Sequence, residues 1–150
     1  MTPTPSDTPT LTPTATPVPT DTPTPTAIPA VYGVSVGGGG NATIPADGQT
    51  HQVFIIPITN TGDQVDNIVV TLSDDAPAGW QTQLCFDDFC YVNDVADDRW
   101  WDPGTTQEAQ IRVSAPSGTP PGTQVSLTLN AISQGDTSKT GTAHMTVTVE

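Results

Sequence analysis

The amino-acid sequence predicts an all-β domain, an antiparallel β-sandwich of about seven or eight strands, behind an extended N-terminal arm. Three observations lead to this prediction. The first 30 residues are mostly threonine and proline, several later segments alternate apolar and polar residues, and no stretch has helical periodicity. Alternation indicates strands with one buried and one solvated face, as in antiparallel sheets. Several such strands separated by turns are typical of a sandwich.

The arm covers residues 1–30 and carries nine of the sixteen prolines. Proline fixes the backbone near polyproline II and removes amide donors, so we expect a stiff, extended chain rather than a folded unit. At about 3.1 Å per residue it reaches roughly 90 Å, whereas the domain that follows is about 35 Å wide. Threonines in such a tract are candidate O-glycosylation sites. They are Thr8, Thr10, Thr12, Thr14, Thr16, Thr20, Thr22, Thr24 and Thr26.

The folded domain is expected to span residues 31–150 and to begin with a strand at 31–36. Four consecutive glycines at 37–40 then form a hinge that costs entropy to order, so this strand is separable from the rest of the domain. A separable strand can add to the sheet edge of a neighbouring molecule. The candidate inter-subunit residues are Val31, Tyr32, Val34 and Val36.

Residues 51–61 have apolar residues on both faces, which predicts a central strand. The next strand is 67–72, and segments 80–86 and 89–92 are expected to pair as a hairpin. Residues 93–104 have no clear period and are predicted to form a long loop. Three strands with clean alternation finish the domain. Their inward residues are Ala109, Ile111 and Val113, then Val125, Leu127, Leu129 and Ala131, then Ala143, Met145, Val147 and Val149.

The order of turn motifs in this domain is distinctive. A strand ends in Asn-Thr-Gly at 60–62, Pro-Ala-Gly-Trp follows at 77–80, Pro-Gly at 103–104, and Ala-Pro to Pro-Gly at 115–122. Together they resemble the bacterial immunoglobulin-like domain of the alpha-galactosidase-associated (NPCBM-associated) type, and more loosely bacterial cell-adhesion domains. The resemblance covers 31–150 and implies an immunoglobulin-like sandwich, a core position for Trp80, and an accessory or surface role without a shared catalytic site.

Charge and leader sequences bear on location and partners. The net charge is -13, with three basic residues against sixteen acidic ones. Such a surface repels phosphate backbones and anionic lipid, so we expect neither nucleic-acid binding nor direct membrane insertion. No apolar run reaches the roughly 18 residues of a membrane-spanning helix. No leader follows Met1, so a secretion signal is expected upstream or already removed, and the location is extracellular or at the cell surface.

The two cysteines, Cys85 and Cys90, are separated by a short turn sequence. In an extracellular domain this spacing favours a disulfide across a hairpin. A metal–thiolate pair is the alternative, with His51 or His144 to complete it. The same two histidines are the only candidate imidazole bases, and paired aspartates are expected on exposed turns. We therefore predict that the chain is not an enzyme.

Two binding sites are candidates near the same end of the domain. Six acidic residues provide the oxygen ligands that calcium prefers, although their spacing fits no calcium-loop motif and a solvated acidic loop is the alternative. They are Asp87, Asp88, Asp94, Asp97, Asp98 and Asp102. Aromatic side chains that can stack on sugar rings are Tyr91, Trp100 and Trp101. If that segment is extended, adjacent residues point to opposite faces, so both tryptophans cannot line one platform.

Two functions agree with these features. The first is a non-catalytic extracellular structural protein, the repeating subunit of a filament. Because the arm outreaches its own domain, its natural binding surface belongs to another copy, and head-to-tail contacts of this kind produce open filaments. The alternative is a carbohydrate-binding or spacer module of a larger secreted glycoside-active protein, with polysaccharide as its ligand. Covalent glycans are expected on the arm, and no cofactor is expected apart from calcium.

Overall fold

The computed structural model describes residues 27–92 and 96–150, together with Met1. These residues form two packed five-stranded sheets and contain no helix. The strands are β1 (Val34–Val36), β2 (Gly40–Ile44), β3 (Gln52–Asn60), β4 (Asp66–Asp74), β5 (Gln81–Phe86), β6 (Phe89–Val92), β7 (Ala96–Trp101), β8 (Thr106–Ser114), β9 (Gln124–Ser133) and β10 (Thr140–Val149). The predicted all-β sandwich is confirmed, with ten strands in place of seven or eight.

The strand order is β1-β3-β8-β5-β6 in the first sheet and β2-β10-β9-β4-β7 in the second. β3, β8 and β5 correspond to strands B, E and D of an immunoglobulin sandwich, and β4, β9 and β10 correspond to C, F and G. β1 and β2 together take the place of strand A, because the chain crosses from one sheet to the other between them. β6 and β7 are additional edge strands.

The core lies between the two sheets and follows the period-two pattern of the sequence. All the inward residues predicted on the last three strands are buried, as are Ile68, Val70 and Leu72 of β4. Trp80 is 7% exposed, as expected for its core position. β3 lies inside its sheet between β1 and β8. However, its outer residues Val53 and Ile55 are 40% and 46% exposed, so the second apolar face of this strand is open to solvent.

The predicted long loop at 93–104 is wrong for residues 96–101, which form β7. This strand pairs antiparallel with β4, from Asp66 opposite Trp101 to Thr71 opposite Ala96. An edge strand needs a partner on one side only and commonly carries charged residues. The sequence Ala-Asp-Asp-Arg-Trp-Trp therefore forms a ladder without the apolar alternation that marks the inner strands.

The glycine-rich segment makes the crossover between the sheets, which the sequence did not predict. β2 begins at Gly40 and pairs in parallel with β10, so the second sheet is mixed rather than purely antiparallel. Gly38 and Gly39 have φ of +78° and +100°. A Cβ on Gly39 would lie 2.5 Å from the carbonyl oxygen of His144. Glycine is thus required at position 39 by both the backbone conformation and the close approach.

We expect Gly39→Ala to lower the free energy of unfolding by about 1–3 kcal/mol, because alanine would be strained at this φ and would press on β10. Urea unfolding measures the loss. Gly118→Ala is the matched control, since Gly118 has φ of +84° but open space around its Cβ position. Equal losses for the two variants would show that contact with His144 contributes nothing.

Candidate functional site

The two cysteines lie directly opposite each other in the hairpin of β5 and β6 and form a disulfide. The predicted disulfide is confirmed, and no cysteine in the described residues is free. Asp87, at the tip of this hairpin, has φ of +52°, a conformation typical of a tight turn.

The two adjacent tryptophans of β7 have opposite environments. Trp100 is 73% exposed, whereas Trp101 is 1% exposed. The Trp101 ring packs edge-to-face against Phe86, with centroids 6.4 Å apart. Trp101 therefore belongs to the core and is not available to stack on a sugar. Tyr91 is half-buried on β6, in the other sheet. The prediction of a stacking platform is thus corrected for Trp101, and Trp100 is the exposed aromatic of the pair.

Arg99 joins the outer edges of the two sheets. Its guanidinium group lies 4.6 Å from the centroid of the Phe86 ring, and its Nη1 is 3.4 Å from the Asp87 carboxylate. The cation–π contact is worth about 0.5–1 kcal/mol at such a site. The Asp87 side chain is 83% exposed, so the ion pair itself contributes little. This contact holds β7 against the hairpin of β5 and β6.

Of the six acidic candidates, the structure describes the side chains of Asp87, Asp88 and Asp102. Asp94 and the candidate O-glycosylation threonines, Thr8 to Thr26, lie outside the described residues. Asp102 and Asp88 are exposed. Among the described side chains no group of three or more His, Cys, Asp or Glu residues is placed to hold a metal ion. The calcium hypothesis for Asp94, Asp97, Asp98 and Asp102 stays a prediction.

Within residues 27–92 and 96–150 there is no helix of sufficient length and apolarity to cross a membrane. Both histidines are exposed. His144 Nδ1 lies 3.3 Å from the Thr128 hydroxyl on the outer face of the second sheet.

Residues 31–36, the N-terminal segment, run along the edge of the first sheet of their own chain. Within it, Val34–Val36 pairs antiparallel with β3, and the Thr61 amide donates to the Gly33 carbonyl at 2.9 Å. Further out, the Val31 amide donates to the Asp63 carboxylate at 2.8 Å, and the Asp63 amide donates back to the Val31 carbonyl at 2.9 Å. The segment is therefore held by hydrogen bonds to β3 and to the turn beyond it. Pairing with a neighbouring molecule stays a prediction.

The hydrogen bond from the Val31 amide lowers the pKa of Asp63 below its ordinary value of 3.8. A carboxyl group with a depressed pKa stabilises the folded state above its ordinary pKa. That contribution is lost as the pH falls through the lowered value. Acid therefore weakens the hold of the domain on the start of the N-terminal segment.

Three glycines make room for the N-terminal segment, and we call the surface that they line the segment groove. A Cβ on Gly62 would lie 2.5 Å from the Val31 carbonyl oxygen, one on Gly135 2.2 Å from the Tyr32 ring, and one on Gly141 2.6 Å from Val36. Gly62 follows β3 of the first sheet, while Gly141 is on β10 of the second. The groove thus spans the opening between the two sheets, and its glycines leave space for Val31, Tyr32 and Val36.

Tyr32 also forms one wall of a pocket of about 190 Å³, the Tyr32 pocket. Its other lining residues are Val65, Asp66, Asn67, Trp100, Gln134 and Gly135. Two hydrogen bonds fix the turn after β9 against the start of β4. The Gly135 amide donates to Asp66 Oδ1 and the Gln134 amide donates to the Asn67 carbonyl, both at 2.9 Å. Sequence reasoning had singled out only Tyr32 and Trp100 of this set.

Two residues that line the Tyr32 pocket have side-chain acceptors that are not used within the described residues. Asp66 is 2% exposed, and its Oδ2 is buried without a hydrogen-bond partner. Asn67 Oδ1 is likewise buried without a hydrogen-bond partner in the described residues. Trp100 and Val65 form an exposed apolar rim, at 73% and 50% exposure.

A second pocket, of about 250 Å³, lies at the loop between β4 and β5. Its carboxylate, Asp74, already accepts hydrogen bonds from the Ala76 amide and the Thr82 hydroxyl. Those bonds shape the loop and leave this pocket without an unused charged group.

No protein-family model matches the chain, and no curated protein sequence is similar to it. Solved structures that share its fold include the following two. The N-terminal domain of PorA is 12% identical, with a TM-score of 0.55 over 79% of this chain and 97% of that domain. A family 123 glycoside hydrolase from Clostridium perfringens is 12% identical, with a TM-score of 0.53 over 79% of this chain. The match covers 27% of the hydrolase chain. At these identities the likeness extends to the fold, an immunoglobulin-like β-sandwich.

Proposed function

We propose that this protein is a non-catalytic, extracellular structural subunit that assembles into filaments. In the filament, the N-terminal segment of one molecule occupies the segment groove of the next. One observation carries the proposal: the segment is seated in a glycine-lined groove, and its covalent connection to the rest of its domain runs through the glycines at 37–39. We also propose that the domain is of the alpha-galactosidase-associated type and that the threonine–proline arm has a role at the cell surface.

Exchange of the segment between molecules conserves its interactions. The ladder to β3, the paired hydrogen bonds with Asp63 and the packing of Tyr32 against Gly135 form equally well with a segment from a neighbour. Because the contacts are the same, the balance between the closed and the exchanged form depends on the crossover and on protein concentration. The glycines of the crossover permit the extended path that exchange requires.

The geometry of donor and acceptor favours an open assembly. The donor is the N-terminal segment and the acceptor is the edge of the first sheet, so the two contacting surfaces differ. Contacts between different surfaces are heterologous, and they propagate along a filament unless the rotation closes a ring. Added strands also give affinity through main-chain hydrogen bonds.

The disulfide between Cys85 and Cys90 supports the extracellular part of the proposal, since such bonds persist in oxidising compartments. The net charge of -13 is consistent with a solvated surface outside the cell.

A cysteine pair across the first ladder tests the assembly. Ser35 and Thr59 lie directly opposite each other on β1 and β3. In the double variant Ser35→Cys, Thr59→Cys, oxidation of assembled protein is expected to join neighbouring molecules. Electrophoresis without reductant should then show a ladder of covalent multimers that collapses to one band when reductant is added.

Thr128→Cys, His144→Cys is the matched control, because these residues face each other on β9 and β10, away from the segment groove. Oxidation of this variant should give a monomer band only. A monomer band from the 35–59 pair as well would contradict the filament. It would leave the alternative, a carbohydrate-binding or spacer module of a larger secreted glycoside-active protein, in which Trp100 and Tyr91 are the remaining aromatic candidates for a sugar.

A further inference from the structure

The Tyr32 pocket combines a buried carboxylate with two aromatic side chains at the surface of an acidic protein. We infer that it binds an organic ammonium group, which pairs with the Asp66 carboxylate between the rings of Tyr32 and Trp100. This inference does not depend on filament formation, since Tyr32 occupies the same place whether the segment comes from the same chain or from a neighbour.

The buried carboxylate of Asp66 is the feature that indicates a ligand. Its Oδ1 accepts a hydrogen bond from the Gly135 amide. Its Oδ2 has no partner among the described residues, although Asp66 is only 2% exposed. An uncompensated carboxylate oxygen is costly away from water, and a charged donor is the partner that compensates it best.

No lysine or arginine side chain of the protein provides that donor. Its three basic residues are engaged or located elsewhere, and none of them lines the pocket. Arg99 contacts Asp87 and Phe86, Arg112 donates to Gln110 on β8, and Lys139 is on the exposed turn with Asp136. We therefore expect the cation to come from another molecule. The net charge of -13 raises the local concentration of cations at this surface.

The aromatic walls favour a cation over a neutral sugar. An ammonium group above the face of tryptophan or tyrosine is attracted by the ring quadrupole. A sugar hydroxyl also donates hydrogen bonds and its ring also stacks, but it carries no charge to compensate Asp66. Asp66 Oδ2 has almost no exposed surface, so the side chains around it must shift to admit the ligand.

Calorimetric titration of the full chain with n-butylammonium tests the inference, because this probe reproduces the end of a lysine side chain. We expect saturable binding that weakens as salt is added, and no measurable binding of n-butanol or glucose. Nα-acetyl-lysine amide and 1,4-diaminobutane then separate the two sources of the group. Tighter binding of the first assigns a lysine side chain of a partner protein, and tighter binding of the second assigns a free polyamine.

Asp66→Asn keeps an oxygen for the Gly135 amide but removes the charge, and it is expected to weaken n-butylammonium binding by about tenfold or more. Trp100→Ala should weaken binding while leaving Asp66 in place. Asp88→Asn is the matched control, since it removes the same charge from the exposed hairpin tip and should bind like the unmodified protein. Circular dichroism confirms that each variant is folded.

Three results would overturn the inference. Equal binding of n-butanol would assign a purely apolar pocket, and binding of glucose without n-butylammonium would assign a sugar site. Unchanged binding by Asp66→Asn would remove the carboxylate from the interaction. None of these results alters the disulfide ladder of the 35–59 pair, so failure here is distinct from failure of the filament.

Discussion

Replacing Trp101 with alanine is expected to lower the free energy of unfolding by about 3–5 kcal/mol, the cost typical of deleting a buried aromatic side chain. Trp101 is 1% exposed and packs edge-to-face on Phe86, so its removal leaves a cavity between β7 and the hairpin of β5 and β6. Denaturant unfolding followed by circular dichroism measures the loss. The adjacent residue provides the control. Trp100→Ala is expected to change the free energy of unfolding by only about 0.5 kcal/mol, because Trp100 is 73% exposed.

Similar losses for the two alanine variants would contradict the register of β7. Trp101→Phe refines the test, because Trp101 Nε1 is buried without a partner in the described part of the chain. Phenylalanine removes this unpaired donor and keeps much of the apolar surface. We therefore expect Trp101→Phe to retain most of the stability that Trp101→Ala loses.

The tryptophan pair also shows how far the sequence determines the fold. Adjacent residues of a strand point to opposite faces, so the sequence predicts that Trp100 and Trp101 differ if they are extended. Which one faces inward depends on the pairing of β7 with β4, where Trp101 lies opposite Asp66. That pairing is long-range and leaves no apolar alternation in β7 itself. The inner strands were predictable because each buries a full row of apolar residues, and edge strands such as β2 and β7 do not.

The Tyr32 pocket was partly readable in the sequence. Asp66 is in phase with Ile68, Val70 and Leu72, so the period of β4 turns it toward the interior. A carboxylate at an inward position is a signal that a partner is required. Its contact with Gly135, 69 residues away, comes only from the packing of the sheets. The segment groove also depends on long-range packing, since no local sequence pattern indicates that Gly135 and Gly141 pack against Tyr32 and Val36.

In the proposed assembly, deletion of residues 1–36 is expected to abolish filaments and leave a folded monomer. The deletion removes the donor but keeps the acceptor groove with Gly62, Gly135 and Gly141. Deletion of residues 1–30 is the matched control, because it removes the arm and keeps the N-terminal segment. If the segment is the connection, the protein starting at residue 31 still polymerises, and electron microscopy and light scattering distinguish the two variants.

The segment groove itself can be tested on the monomer that starts at residue 37. A synthetic peptide of residues 27–36 is expected to bind it, because the peptide restores the ladder to β3 and the seat of Tyr32 on Gly135. Gly135→Val in the same monomer should prevent binding, since a Cβ there would lie 2.2 Å from the Tyr32 ring. Fibres formed by the protein without residues 1–36 would refute the role of the segment. A peptide that binds the Gly135→Val monomer equally well would instead place the contact outside the groove.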